Sequence, residues 1–362
     1  MNTASRRTVA EIASAITPPS DEWLGRARAH LDILTKPLGS LGMLEDIVAR
    51  MVSIRQEDSA RPLKKAVYVF AADHGITAEG VSAYPREVTR QMVLNFLAHG
   101  AAINVLAKMH HVDMSVIDIG VDADFDRVAG LLHRKVRRGT RNMLQEAAMS
   151  NEELAQAMDV GFTLATEAGT KGYNLLAVGE MGIGNTTAAS VIAAALTGTS
   201  AGVVTGKGTG LDTDALAHKQ RVVEAVIRKH FVPTGAGFKP APLDVLRCTG
   251  GLEIAGMAGL ILGAARNRIA IVIDGFISTA AAAIAFAIEP QVRDYLFAGH
   301  RSEEPGHRIL LEYIGLTPIL SLNMRLGEGT GAVLAMPIIE SAMALYNQMA
   351  TFASAGVSEV NG

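Results

Sequence analysis

The sequence predicts an α/β protein: a doubly wound, three-layer α/β/α architecture around a mainly parallel, Rossmann-like sheet, with a small helical subdomain beside it. Three observations carry this. From residue 66 onward, short β-rich runs alternate with long Ala-rich stretches. Most runs are apolar throughout rather than alternating, as parallel strands covered on both faces require. Strand, helix, strand, repeated along a chain, builds a parallel sheet.

The elements follow in order. Residues 1 to about 60 read as helices. Ser20 is placed to cap a helix starting at Asp21, and after the KPLGS break Ser40 is placed to cap a second, with Leu41, Leu44, Ile47, Val48 and Met51 at helical spacing. Strands are expected at AVYVFAAD (66–73), VDMSVIDIG (112–120), NLLAVGE (174–180), GVVTG (202–206), IAIVIDG (269–275) and TPILSLN (317–323). Residues 290–315 return to helix joined by polar linkers, and 336–350 form another apolar helix. The implied division is a large α/β domain from 61–290 with 315–340, and a helical subdomain from 1–60, 291–314 and 341–362.

Composition narrows the function. The 362 residues hold 33 Lys and Arg against 36 Asp and Glu, a net charge of −3, with 19% charged and 49% apolar residues. The 36 glycines, about one residue in ten against a usual ~7%, imply many tight turns. Without a Lys/Arg block the chain lacks the clustered positive charge that nucleic acid demands. The densest basic stretch, His133–Arg141, reads as a solvated face. The single cysteine, Cys248, excludes a disulfide framework and a Cys-based zinc site, and fits a cytoplasmic protein. Arg6 and Arg7 are followed by no apolar core of a signal, because Glu11 and Pro18–Pro19 interrupt it. The most apolar region, Ile254–Ile288, is broken by Arg266, Asn267, Arg268 and Asp274, short of the ~20 residues that cross a bilayer. Neither nucleic acid nor membrane is expected as a partner.

Several runs end in a polar or glycine-containing turn: Asp73-His74-Gly75, Asp118 with Gly120, Gly179-Glu180, Asp274-Gly275 and Arg325–Gly329. Ligands of open α/β sheets bind outside the carboxyl ends of the strands, so these turns outline the site. The segment VGEMGIGNTTAAS (178–190) leads a strand through Gly182 and Gly184 into Asn185 and an Ala-rich helix. Glycines admit close backbone approach, and free N–H groups at a helix start favour an anion. Anion binding and tight strand-to-helix packing both account for it. It matches neither a Walker A loop nor the dinucleotide fingerprint, whose third small residue would fall on Thr187. GKGTGLD (206–212) offers Lys207 as a point charge for phosphate, or is an ordinary surface loop. In RLGEGTGA (325–332), Glu328 sits between glycines and is either a desolvated general base or a solvated turn acid, with Arg325 facing a phosphate or Glu328 itself. Asp73-His74 reads as a hydrogen-bonded structural pair, and His300 and His307 in GHRSEEPGH as loop residues rather than metal ligands.

Together, KPLGSLGMLE, the block FAADHGITAEGVSAYPREVTRQM, VGEMGIGNTT, GKGTGLD, DGFISTAAA, GHRSEEPGH and RLGEGTGA occur in an order that resembles the nicotinate-nucleotide:dimethylbenzimidazole phosphoribosyltransferase family, from about residue 20 to about 345. The resemblance implies transfer of the phosphoribosyl group of nicotinate mononucleotide to 5,6-dimethylbenzimidazole with inversion, giving α-ribazole 5′-phosphate and nicotinate for cobalamin assembly. It implies Glu328 as general base. It also implies a nucleotide site around Glu180, Met181, Gly182, Ile183, Gly184 and Asn185, and an azole site at Ser82, Tyr84 and Gln91. Lys207 and Arg325 are expected as further phosphate or ribose contacts. No cofactor and no metal are implied, and a homodimer is, with Phe276–Ile288 as one apolar helix available for its interface. Two other readings are a nicotinamide-dependent oxidoreductase and a non-catalytic nucleotide sensor on the same sheet.

Overall fold

The computed structural model describes residues 8–57, 62–125, 128–208, 210–231 and 239–358. Seven strands form one sheet: β1 Lys65–Ala72, β2 Asp113–Gly120, β3 Leu131–His133, β4 Leu175–Met181, β5 Ala270–Ile273, β6 Leu296–His300 and β7 Pro318–Leu320. Their order is β3-β2-β1-β4-β5-β6-β7, and every adjacent pair is parallel. The chain runs outward from β1 to β3 and then returns to the other side with β4, the doubly wound topology whose crevice opens where the order reverses. β1 is buried along its whole length and β4 along all but its last residue, which explains their unbroken apolar character.

Five of the six expected strands form. GVVTG does not: Ala201–Val204 is a short helix followed by loop, with Val204 buried against the neighbouring helices. Two strands lie where the sequence predicts none. β3 is only three residues at a sheet edge. β6 falls inside the segment read as helix with linkers, and its LFAGH pairs with both β5 and β7.

At the N-terminus the helix Asp21–Asp32 is capped by Ser20, whose Oγ accepts the Trp23 N–H at 3.4 Å. The next helix, Met43–Arg55, starts after Gly42 in a left-handed conformation, so Ser40 is not its cap. It packs against both Asp21–Asp32 and the long C-terminal helix Thr330–Gln348.

Helix Leu252–Arg266 lies against Asn151–Thr170 in the most extensive helix contact of the molecule. The approach is so close that a Cβ on Gly161 would stand 1.8 Å from Gly256 O, and one on Gly259 would stand 2.0 Å from Met158 O. Helix Phe276–Ile288 is buried from Phe276 to Ala285 inside the subunit, so that only its last turn, Phe286–Ile288, is half-exposed.

The basic stretch is also not a plain solvated face. Lys135 Nζ lies 2.8 Å from Asp118, Arg141 and Arg137 lie 2.5 and 3.5 Å from Glu153, and Arg138 pairs with Asp124. The one described stretch apolar and long enough for a bilayer, the 23 residues Glu87–Met109, is two helices of 11 and 8 residues, Glu87–Leu97 and Ala102–Met109. Neither reaches the ~20 residues of a span.

Candidate active site

A cavity of about 590 Å³ opens at the carboxyl ends of β4, β5, β6 and β7. Its wall includes Tyr84, Glu180–Ile183, Asn185, Thr186, Glu304, Arg325 and Glu328.

The turn after β7 explains how Glu328 is presented. Gly327, Glu328 and Gly329 have φ of 88°, 64° and 91°, three consecutive left-handed residues of which only the middle one carries a side chain. Such a conformation costs a non-glycine residue ~1–3 kcal/mol and persists only where the surroundings impose it. Here Asp274, at the end of β5, imposes it. Its Oδ2 accepts the Gly329 N–H at 3.0 Å, and its Oδ1 accepts those of Gly331 and Ala332 at 2.7 and 3.1 Å. From below, Gly179 of β4 lets the turn settle on the sheet, since a Cβ there would lie 2.3 Å from Glu328 O.

The Glu328 side chain is 7% exposed, and its Oε2 has no hydrogen-bond partner among the described residues. Burial foremost, then the nearby negative charge of Asp274, pushes its carboxyl up to about 7, against an opposing hydrogen bond from the Ile103 backbone. Glu328 is therefore not a solvated turn acid. It is a desolvated carboxylate at the cavity, as a general base near neutral pH requires.

Glu180 lies beneath the same turn. Its carboxyl accepts hydrogen bonds from the Glu328 backbone and from Asn185 Nδ2, and a Cβ on Gly327 would stand 2.5 Å from its Oε1. Burial, with Glu253 and Asp274 adding like charge, pushes it up to about 8.

The 180–185 turn then enters helix Asn185–Thr197 through Gly184 at φ 96°. A Cβ on Gly182 would lie 2.3 Å from Ala72 O, and one on Gly184 would lie 2.9 Å from Thr77 Cγ2, so both glycines serve close packing against the segment after β1. The turn is also wired internally. Asn185 N–H donates to Gly182 O and Thr187 N–H to Gly184 O, while among the described residues the N–H groups of Gly184 and Thr186 make no hydrogen bond. Both readings of this motif, packing and anion binding, thus have a structural counterpart.

The cavity brings together Glu328, Glu180, Met181, Gly182, Ile183, Asn185, Arg325 and Tyr84. Gly184 lies behind its wall. Lys207 lines an adjoining cavity of about 500 Å³, which shares Arg325 and Glu304 with the first. Arg325 donates to Gly208 O at 3.0 Å rather than to Glu328. Ser82 accepts the Tyr84 N–H at 3.2 Å, and Gln91 is exposed on the helix Glu87–Leu97; neither reaches the cavity wall.

His74 pairs not with Asp73 but with Glu253, Nε2 to Oε1 2.6 Å, both fully buried. His307 Nδ1 accepts the Ser302 N–H at 2.9 Å. Among the described residues no group of three or more His, Cys, Asp or Glu is arranged to hold a metal ion.

Four contributors go beyond what the sequence motifs single out. Asp274 is visible there only as a turn residue. Glu253 is a lone carboxylate opening an apolar helix, and that is a signal a sequence can give. Glu304, in the turn after β6, accepts the Gly208 N–H at 3.0 Å and leaves its Oε2 unpartnered among the described residues. Lys219 is 1% exposed in the helix Thr213–His230, and its Nζ donates to Thr186 Oγ1 at 2.8 Å. Burial holds it down to about 8, with Glu304 opposing.

A family model described as Phosphoribosyltransferase matches residues 16–357. The nicotinate-nucleotide–dimethylbenzimidazole phosphoribosyltransferase of Geobacter sulfurreducens is 52% identical over 96% of this chain and 98% of its own. The chain belongs to this phosphoribosyltransferase family. The family member from Chloroflexus aggregans, of the same name, is 51% identical over 95% of this chain and 96% of its own. The crystal structure of CobT from Thermus thermophilus shares the fold with a TM-score of 0.88 at 46% identity, covering 94% of this chain and all of its own. Family membership accounts for the fold, the ordered motifs and the absence of a dinucleotide fingerprint, and gives no support to an oxidoreductase or a nucleotide sensor.

Proposed function

We propose that this cavity transfers the phosphoribosyl group of nicotinate mononucleotide to 5,6-dimethylbenzimidazole, giving α-ribazole 5′-phosphate and nicotinate, with Glu328 as the base. The enzyme class follows from the family, whose curated members carry that activity in their names. The observation that carries the role of Glu328 is its buried, unpartnered Oε2 at the cavity wall.

The chemistry asks little else of the chain. The bond from the ribose anomeric carbon to the pyridinium nitrogen breaks, its electron pair neutralising the ring as nicotinate leaves. The imidazole nitrogen of the acceptor forms the new bond from the opposite face, which inverts the anomeric centre. The second acceptor nitrogen then gives its proton to Glu328. No general acid is needed, because the leaving group departs as a neutral ring. Positioning supplies much of the remaining acceleration.

In this reading the 180–185 turn and the helix start that follows it receive the nucleotide phosphate, with the free N–H group of Thr186 at the cavity wall. Lys219, behind Thr186, supplies positive charge to the same region, and Arg325 contacts phosphate or ribose with Lys207 further out. Tyr84 forms the azole wall, with Ser82 ordering its loop and Gln91 on the following helix. The enzyme works in the cytoplasm as a homodimer that needs no cofactor. Exposed apolar residues such as Val105 and Met109, at 61% and 69%, give a second subunit something to cover. Sedimentation or light scattering tests that assembly.

The activity is tested by mixing the purified chain with nicotinate mononucleotide and 5,6-dimethylbenzimidazole and following both products by chromatography. Nicotinate and α-ribazole 5′-phosphate should appear one for one. Nicotinate release without the second product, or neither product, would overturn the reading.

A further inference from the structure

Thr89 has no part in the chemistry above, yet it stands between the two halves of the site. It is the third residue of the helix Glu87–Leu97, is 0% exposed, and follows the Tyr84 wall by five positions. Its Oγ1 accepts the Ile183 N–H at 3.1 Å, across a sequence separation of 94 residues. Burial holds the neighbouring Asp73 carboxyl above its ordinary value, with the Asp122 N–H and the Thr89 hydroxyl opposing. Asp73 in turn accepts the Asp122 N–H at 2.7 Å, and Asp122 pairs with Arg86 at 2.8 Å, next to the Tyr84 loop. A circuit of contacts from Arg86 through Asp122 to Asp73 thus runs from the loop after Tyr84 up to Thr89, whose own hydrogen bond reaches the middle of the glycine turn.

The circuit has a geometric consequence. A glycine-rich turn has few side chains with which to fix itself. Thr89 takes the Ile183 N–H, which ties that peptide to the helix Glu87–Leu97. The Gly184 and Thr186 N–H groups remain without a partner among the described residues. We propose that Thr89 is the positioning residue that sets the 180–185 turn in its nucleotide-receiving conformation and holds it against the acceptor wall. This rests on the reading of that turn as the nucleotide site.

The test replaces Thr89 with valine, which keeps the branched shape and removes the hydroxyl, and with serine, which keeps the hydroxyl. Steady-state kinetics are measured with both substrates, and folding is followed by circular dichroism and thermal melting. Thr89→Val should raise KM for nicotinate mononucleotide tenfold or more while kcat at saturation falls less than threefold. Thr89→Ser should stay within about threefold of the parent in both. A residue that merely supports the fold would lower the melting temperature without this split between KM and kcat.

Gly184→Asp, measured beside them, separates the two levels of the argument. If it raises the nucleotide KM but Thr89→Val leaves it within twofold, Thr89 does not position the turn and the proposal fails alone. If neither variant changes the nucleotide KM, the turn is not the nucleotide site and both readings fall. Should the valine variant not fold, Thr89→Ala carries the same expectation without the added methyl. Failure of both to fold would also overturn the proposal, by making Thr89 a residue of stability.

Discussion

Buried charges at the two ends of the sheet are handled in opposite ways. At the start of β1, Lys65 is 5% exposed but donates to Glu340 at 2.6 Å and to His110 O at 2.7 Å. At the carboxyl ends, Glu253, Glu304 and Glu328 each keep one oxygen without a hydrogen-bond partner among the described residues. Glu180 is buried among other acids and is pushed up to about 8. Burying an ionisable group without a full set of partners costs free energy that folding alone gives no reason to spend. The paired end holds the fold together, and the under-paired end is where a substrate completes the set.

The largest expected effect comes from removing the base. Glu328→Gln keeps the size and the Ile103 contact while losing the proton acceptor. General-base catalysis contributes ~10²–10⁴-fold, so kcat should fall by at least a hundredfold while nucleotide affinity stays within about threefold. The parent pH profile sharpens this. Glu328 acts when ionised and its carboxyl is pushed up to about 7, so kcat/KM should rise with pH through that value and level off above it. An acid limb near 4.5 in the parent would place the base elsewhere.

Next in size is a stability effect of opposite sense to most active-site changes. A carboxyl held above its ordinary value binds a proton in the folded state that the unfolded state has already released, so the fold loses stability as pH rises from about 4.5 to about 8. Glu180→Gln removes that penalty and keeps an oxygen for Asn185. Its thermal midpoint should match the parent below pH 4.5 and exceed it increasingly toward pH 8, by a few kcal/mol in unfolding free energy. Equal midpoints at pH 8 would show that Glu180 is adequately compensated and belongs with the paired charges.

How far this contrast can be read in the sequence depends on whether a residue's role is local. β1, β4 and β5 announce themselves because strands buried on both faces have to be apolar throughout, and β2 does so through its buried second half. β6 does not, since LFAGH is five residues long and follows the charged PQVRDY. GVVTG carries three β-branched residues in a row, yet tertiary packing ends a helical turn on the first two. The two glycine turns of the site are legible because the glycines that permit them are adjacent in sequence to Glu180 and Glu328. Lys219, Glu304 and Thr89 reach the site only through folding, from segments whose composition is that of ordinary helices and loops. The glycine excess reads as tight turns, but Gly161, Gly259 and Gly263 serve a helix crossing instead.

Gly184→Asp tests the nucleotide side of the under-paired end. The new side chain would have to adopt φ 96° and would press on Thr77 and the buried His74 behind the cavity wall, displacing the turn that receives phosphate. The nucleotide KM should rise ten- to a hundredfold, visible also as loss of protection by nicotinate mononucleotide in thermal melting. Unchanged protection would move the phosphate away from this turn.

The smallest effect should come from the paired end, and it should be of a different kind. Glu340 is 38% exposed, so water already screens its contact with Lys65 and can partly replace it once it is gone. Glu340→Ala leaves Lys65 with His110 O as its remaining protein partner and should lower unfolding free energy by ~1 kcal/mol. Because Lys65 sits at the opposite end of β1 from the site, kcat and both KM values should stay at parental values. Denaturant unfolding read alongside kinetics separates the two outcomes. A change in KM without loss of stability would mean that charge at the amino end reaches the cavity through β1, and the division between structural and functional charges would have to be redrawn along the strand.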